Sequence, residues 1–132
     1  KTRIVDQLEQ KVSSLEGKSI AILGLSFKPG TDDITNSPAI DVIQRLQEDG
    51  AEIKAYDPEA MENMRNVFPE ISYQNSYQEA LKSSGAALLL TDWEEFEEIS
   101  RGDLKVMKSP LLLEGRRISH DAKNHSEGVT WP

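Results

Sequence analysis

Residues 17–41, GKSIAILGLSFKPGTDDITNSPAID, restrict the fold more than any other stretch. Residues 19–25 form an apolar run too short for a helix. Its two Ile and two Leu suit a strand covered on both faces. A polar loop follows, bracketed by Gly24 and Gly30 and carrying Lys28, Asp32 and Asp33. Ser37 then offers a hydroxyl cap to the next helix, and Pro38 stands where a first-turn residue needs no N–H. A strand that delivers a helix N-terminus beside a lysine is a natural seat for phosphate, since free amides and the helix dipole point there. Neither common phosphate loop matches. A P-loop has four residues between its glycines and a Lys directly after the second, whereas five residues separate Gly24 from Gly30 and Thr31 follows. The dinucleotide fingerprint G-x-G-x-x-G fails as well, because Ser26 stands at its second glycine. Spacing alone leaves anion binding and a purely structural strand-to-helix turn both open.

The rest of the chain alternates in the same way. Ile4, Val5, Leu8, Val12 and Leu15 recur at helical spacing over residues 1–16, with Gly17 as the stop. Residues 39–49 read as an amphipathic helix ended by Gly50. A strand is expected over 51–56, closed by Asp57-Pro58, then a helix over 59–67 and an edge strand over 71–73. A short helix over 76–83 is capped by Asn75 or Ser76. Residues 86–90 are the plainest buried strand, and Thr91-Asp92 lies at its C-terminal end, where ligands of open α/β sheets collect. Trp93, Phe96 and Ile99 at helical spacing read as core, with Glu94, Glu95, Glu97 and Glu98 as a solvated face. Residues 104–107 suit a short helix or turn, and Pro110 opens a last strand over 111–113. This alternation predicts a three-layer α/β sandwich, a Rossmann-like, mainly parallel sheet with helices on both faces. Lys28, Asp32, Thr91 and Arg116 are expected to gather at the strand C-termini. Asp57 is read as structural, because the glycine loop it would serve in a dinucleotide fold has the wrong form.

Composition narrows the function. The chain of 132 residues has room for one domain with a sizeable core. Its formal charge is −8, with 23 acids against 15 Lys and Arg, which argues against broad nucleic-acid or anionic-membrane binding. A local basic pocket for a diphosphate is still compatible with that charge. With no cysteine there is no disulfide, thiolate metal site or cysteine nucleophile within the chain. His120 and His125, five apart in a polar tail with Asp121 and Lys123, make a poor metal site. No signal peptide or membrane span is legible, so a cytoplasmic location is expected. Arg116 and Arg117, after a strand and a glycine, read either as a phosphate clamp or as a surface pair offsetting the acidic protein. Trp131 reads as part of a domain end that packs on a neighbouring subunit or another domain.

Several ordered motifs closely resemble the C-terminal domain of the UDP-glucose/GDP-mannose dehydrogenase family. They are Gly24-Leu25-Ser26-Phe27-Lys28-Pro29-Gly30-Thr31-Asp32-Asp33 ending in Ser37-Pro38-Ala39, then Tyr56-Asp57-Pro58, Thr91-Asp92-Trp93-Glu94-Glu95-Phe96 and Glu114-Gly115-Arg116. The resemblance spans roughly residues 17–118. It implies an enzyme that oxidises C6 of a nucleotide sugar from alcohol to carboxylate with NAD, through a thiohemiacetal and thioester on a cysteine. That cysteine, its lysine, asparagine and aspartate helpers and the G-x-G-x-x-G loop belong in the family to upstream domains. The resemblance therefore assigns no catalytic residue here. It makes residues 1–16 the end of an inter-domain connecting helix and residues 17–132 the nucleotide-sugar-binding C-terminal domain.

By motif position, the resemblance makes Lys28 the substrate-facing lysine, sets Phe27 against the nucleotide, and lets Arg116 reach the sugar or phosphate of a UDP-sugar. It also puts Asp32 and Thr35 toward NAD. One departure stands out: the family commonly has T-D-D-x-R, whose arginine can contact the NAD pyrophosphate, whereas Ile34 here is followed by Thr35. NAD binding should then be weaker or supported differently. The implied partners are the UDP-sugar, the N-terminal NAD-binding and central helical domains, and a second copy in a homodimer formed through the central helix. UDP-glucose is the first substrate expectation, with UDP-N-acetyl-hexosamine and GDP-mannose as alternatives. A stand-alone, non-catalytic nucleotide-sugar-binding module is the competing class. The chain begins inside a helical pattern with no capping residue, which leads to the expectation of a longer native polypeptide.

Overall fold

A computed structural model describes residues 2–115. Arg116, Arg117, His120, His125 and Trp131, on which expectations were placed, lie outside the described residues. Five strands, β1 (Ser19–Leu23), β2 (Glu52–Tyr56), β3 (Ser72–Tyr73), β4 (Ala86–Leu89) and β5 (Leu112–Glu114), form one sheet in the order β3-β2-β1-β4-β5. Every pairing is parallel, as helical crossovers require. The strands fan outward from β1 to β2 and β3, and the chain then returns to place β4 on the other side of β1. The loops after β1 and β4 therefore diverge at the point where strand order reverses, the usual ligand crevice of open α/β sheets.

Both faces of the sheet are covered, giving the three layers expected. On one face α1 (Arg3–Lys11), α2 (Pro38–Glu48) and α3 (Met61–Val67) bury Val5, Leu8, Val42, Ile43, Leu46 and Met64 against Ile20, Ile22, Ile53 and Leu88. On the other, α4 (Tyr77–Leu81), a 3-10 turn (Glu94–Glu98) and α5 (Arg101–Leu104) cover Ala21, Leu23, Ala87, Leu89 and Leu112. Phe96 centres that second core, edge-on to Tyr56 and to Tyr77 at 6.1 Å. Each fully buried Leu, Ile or Phe contributes about 1.5–3 kcal/mol, so the two apolar layers dominate stability. Arg45 of α2 adds a surface tie to Asp6 and Glu9 of α1, each at 2.8 Å; exposed pairs of this kind contribute about 0–1 kcal/mol.

Several element boundaries differ from expectation, most by one or two residues, and three have a clear physical reason. The first helix ends at Lys11 instead of running to Gly17, and Val12 is extended. Ser13 and Ser14 follow, and Ser14 Oγ accepts from Glu16 N–H, the local competition that ends helices. Leu15 is nonetheless buried, reached by the turn and not by helical spacing. β1 stops at Leu23 because Gly24 takes φ +98° and the amides of Leu25 and Ser26 turn to a side chain (below). α5 begins earlier than expected, at Arg101, because Ser100 and Asp103 form a reciprocal capping box. Ser37 caps α2 from Ala39 N–H and Ser76 caps α4 from Glu79 N–H, as their sequence positions predict. Among the described residues, no helix is long and apolar enough to cross a membrane.

Candidate functional site

The loop after β1, residues 24–37, has a buried base and an exposed tip. Gly24 makes the base possible. Its φ is +98°, and a Cβ there would lie 2.5 Å from the Thr91 amide nitrogen, so only glycine lets the β1 and β4 ends approach this closely. Beyond it, Asp57 at the end of β2 is fully buried and gathers three loops. Its Oδ2 accepts from Leu25 N–H at 2.7 Å, Ser26 N–H at 3.0 Å, the Ser26 hydroxyl at 3.1 Å and the Trp93 indole N–H at 3.0 Å. Its Oδ1 accepts from Glu59 and Ala60 N–H, both at 2.8 Å, at the approach to α3. Such charge-assisted bonds are worth about 1.5–3 kcal/mol each.

The expectation that Asp57 is structural agrees with this geometry. Thr91, expected to face ligand, does not: it is fully buried and its hydroxyl donates to Ser26 C=O at 2.8 Å. The physical reason is the tight approach at Gly24, which turns Thr91 into the wall of the crevice. Trp93 is half-buried beside Phe96, and its indole N–H also reaches Ser26 Oγ at 3.1 Å. It is a hydrogen-bonding member of the loop base as well as a core residue. Sequence reasoning missed this convergence. The local hint was Ser26 itself, a hydroxyl at the position where a dinucleotide loop has glycine.

The tip is held differently. Phe27 N–H donates to Asp33 C=O at 2.7 Å, closing residues 27–33 into a turn. Asn63 of α3 donates from Nδ2 to Asp32 C=O at 2.8 Å. Asp33 Oδ1 accepts from Thr35 N–H at 2.8 Å, and this bond, with one from the Thr35 hydroxyl, holds the Asp33 carboxyl below the usual carboxylate range. At the far end Ser37 donates to Leu25 C=O at 2.7 Å while accepting from Ala39 N–H, which fixes the loop to the first turn of α2. Phe27 is 41% exposed and Lys28 beside it is also exposed, so an apolar ring and a cation stand side by side on a restrained turn. Phe27, Lys28, Asp32 and Thr35 thus share one loop.

Two further carboxyl groups lie near the strand ends. Tyr56, at the end of β2, donates its hydroxyl to Glu95 at 2.9 Å, and burial, then that bond, push its phenol well above the ordinary value. Glu114, the last residue of β5, is 7% exposed, and among the described residues neither of its oxygens has a hydrogen-bond partner. Burial pushes its carboxyl up to about 7. No group of three or more His, Cys, Asp or Glu able to hold a metal occurs among the described residues.

Residues 21–121 match the family model described as the UDP-glucose/GDP-mannose dehydrogenase family, UDP binding domain. The chain is 47% identical over 116 residues to UDP-glucose 6-dehydrogenase AglM of Haloferax volcanii, covering 88% of this chain and 26% of that protein. It is 38% identical over 120 residues to UDP-glucose 6-dehydrogenase TuaD of Bacillus subtilis, covering 89% and 26%. Its fold superposes on a UDP-glucose dehydrogenase from Pyrobaculum islandicum with a TM-score of 0.81 at 30% identity, over 97% of this chain and 29% of that one. The chain therefore spans about a quarter of the length of the curated relatives it matches. On sequence and fold together, the chain belongs to the UDP-glucose/GDP-mannose dehydrogenase family, as its UDP-binding domain.

Proposed function

We propose that this chain is the substrate-binding C-terminal domain of an NAD-dependent nucleotide-sugar 6-dehydrogenase that converts UDP-glucose to UDP-glucuronate. The family resemblance implies a catalytic cysteine and an NAD fold outside this chain, which has no cysteine, so the domain alone is expected to be inactive. The observation that supports the reading is the restrained turn of residues 27–33, on which Phe27 and Lys28 are both exposed. An aromatic face suits a nucleobase, and a flexible ammonium suits a phosphate or sugar oxygen. Arg116, two residues beyond Glu114 in sequence, supplies a planar guanidinium for the diphosphate or sugar. These groups bind and orient; none of them moves a proton or accepts a hydride.

NAD fits this domain poorly as a main ligand. The Leu25 and Ser26 amides that would cradle a pyrophosphate already bond Asp57, and the Thr35 amide bonds Asp33. Bound elsewhere, NAD supplies the oxidising chemistry. Asp32 and Thr35 take at most an edge contact across the domain cleft. Residues 1–16 lead from the connecting helix, through which the native polypeptide dimerises in the cytoplasm.

Kinetics of Lys28→Ala and Arg116→Ala in the native polypeptide test the assignment. Each should weaken UDP-glucose turnover by about 2–5 kcal/mol, the range for losing a desolvated charge-assisted contact. Wild-type kinetics in both would refute it. A native polypeptide of only this length, binding UDP-sugars without reducing NAD, would leave a binding module in place of an enzyme domain.

A further inference from the structure

We infer that Asp57 is the positioning residue of the β1 loop, its carboxylate filling an anion seat made by the Leu25 and Ser26 amides. Two successive backbone N–H groups converging on one oxygen form the concavity that binds phosphate in nucleotide folds. Here that oxygen is Asp57 Oδ2, at 2.7 and 3.0 Å, and it arrives from the end of β2. In a dinucleotide fold an acid at the end of β2 faces a ribose at the crevice. In this chain the acid turns inward, and the Trp93 indole closes over it with bonds to both Asp57 and Ser26.

Two consequences follow. The switch-point crevice takes no phosphate of its own, so ligand is met by the outer turn that carries Phe27 and Lys28. The seat is also built for a carboxylate and not for its amide. Asp57 presents two acceptor oxygens, one to the β1 loop and one to Glu59 and Ala60. Asparagine has a single carbonyl and must leave one of those donor groups facing an NH₂. Asp57 and Trp93 thereby join the Tyr-Asp-Pro and Thr-Asp-Trp stretches to the Gly-Leu-Ser turn. They set the height and angle of Lys28 without touching substrate.

The inference about Lys28 rests on the functional reading above, so the test has one arm that does not. In the native polypeptide, Asp57→Ala empties the seat. Sodium formate, a free carboxylate, should then raise the melting temperature of Asp57→Ala by several degrees beyond sodium chloride at equal ionic strength, and leave the unsubstituted protein unmoved. Formate no better than chloride would overturn the anion seat.

The second arm is kinetic. Trp93→Phe keeps the ring and removes both indole bonds; it should raise KM for UDP-glucose a few fold. Asp57→Ala should raise it roughly tenfold, because small displacements of a positioned group are felt strongly. KM for NAD should hold in both. Formate should bring the Asp57→Ala value back. An unchanged KM for UDP-glucose in Trp93→Phe overturns the positioning role, and decides the matter alone if Asp57→Ala does not fold. If Lys28→Ala and Arg116→Ala also leave that KM unchanged, the functional reading has failed, and the formate melting arm still decides the seat.

Discussion

The base and the tip of the β1 loop are adjacent in sequence and opposite in character. At the base, Leu25, Ser26 and Asp57 are fully buried, and the Asp57 carboxylate accepts six donors from three loops. At the tip, Phe27 and Lys28 are exposed, and the turn is held by backbone bonds and by Asn63. The contrast separates a base whose bonded polar groups are buried from a tip whose side chains stay exposed. Substitutions at the base should therefore act first on stability, and substitutions at the tip on binding alone.

The largest effect should come from the base. Asp57→Ala leaves several buried donors without an acceptor, each costing about 1–3 kcal/mol, partly relieved by water entering the gap. A loss of about 3–5 kcal/mol is expected, read as a lower urea midpoint with an unchanged slope. A loss below 1 kcal/mol would mean that the base is not the stabilising part.

Glu114 sharpens the comparison, since it is a buried carboxyl that, among the described residues, lacks the partners Asp57 has. Its folded pKa of about 7 lies above the ordinary 4.5, so the folded state binds the extra proton and the unfolded state does not. The folded state is then favoured below pH 4.5 by this group. That contribution is lost as pH rises from 4.5 through about 7. It amounts to roughly 1–3 kcal/mol after allowance for solvent screening. Melting temperatures should fall between pH 5 and pH 8 more steeply for the native chain than for Glu114→Gln. Parallel curves would remove Glu114 as the cause.

The smallest effect belongs to residue 35, at the far side of the tip. Thr35→Arg restores the charge that the family commonly carries there. It should tighten the apparent affinity for NAD by about 1 kcal/mol, roughly fivefold, as an exposed ion pair would, with no change in melting temperature. An unmoved KM for NAD would show that residue 35 does not face the cofactor.

What could be read from sequence follows the same division between local and distant causes. The buried runs at residues 19–23 and 86–89, the Ser37 cap and Pro38 of α2, and the edge strand at residues 72–73 all rest on neighbours within a few positions. Parallel pairing then follows from the helical crossovers. The early end of α1 was not legible, because Val12 and Leu15 continue the helical spacing that Ser13 and Ser14 interrupt. Thr91 was misplaced for another reason: a strand end is where ligands collect, but its partner Ser26 lies 65 residues away. The same distance hid the Trp93 indole bonds. Lys28 stands out in sequence as the cation of the loop, and Phe27 only through motif resemblance; both are exposed on one restrained turn.

The most direct measurement is calorimetric titration of UDP-glucose into the native polypeptide and its Lys28→Ala variant, with melting temperatures recorded in parallel. Lys28→Ala should lose about 2–5 kcal/mol of binding free energy, with its melting temperature unchanged. Undiminished affinity would contradict the account, and so would a melting temperature that falls together with the affinity.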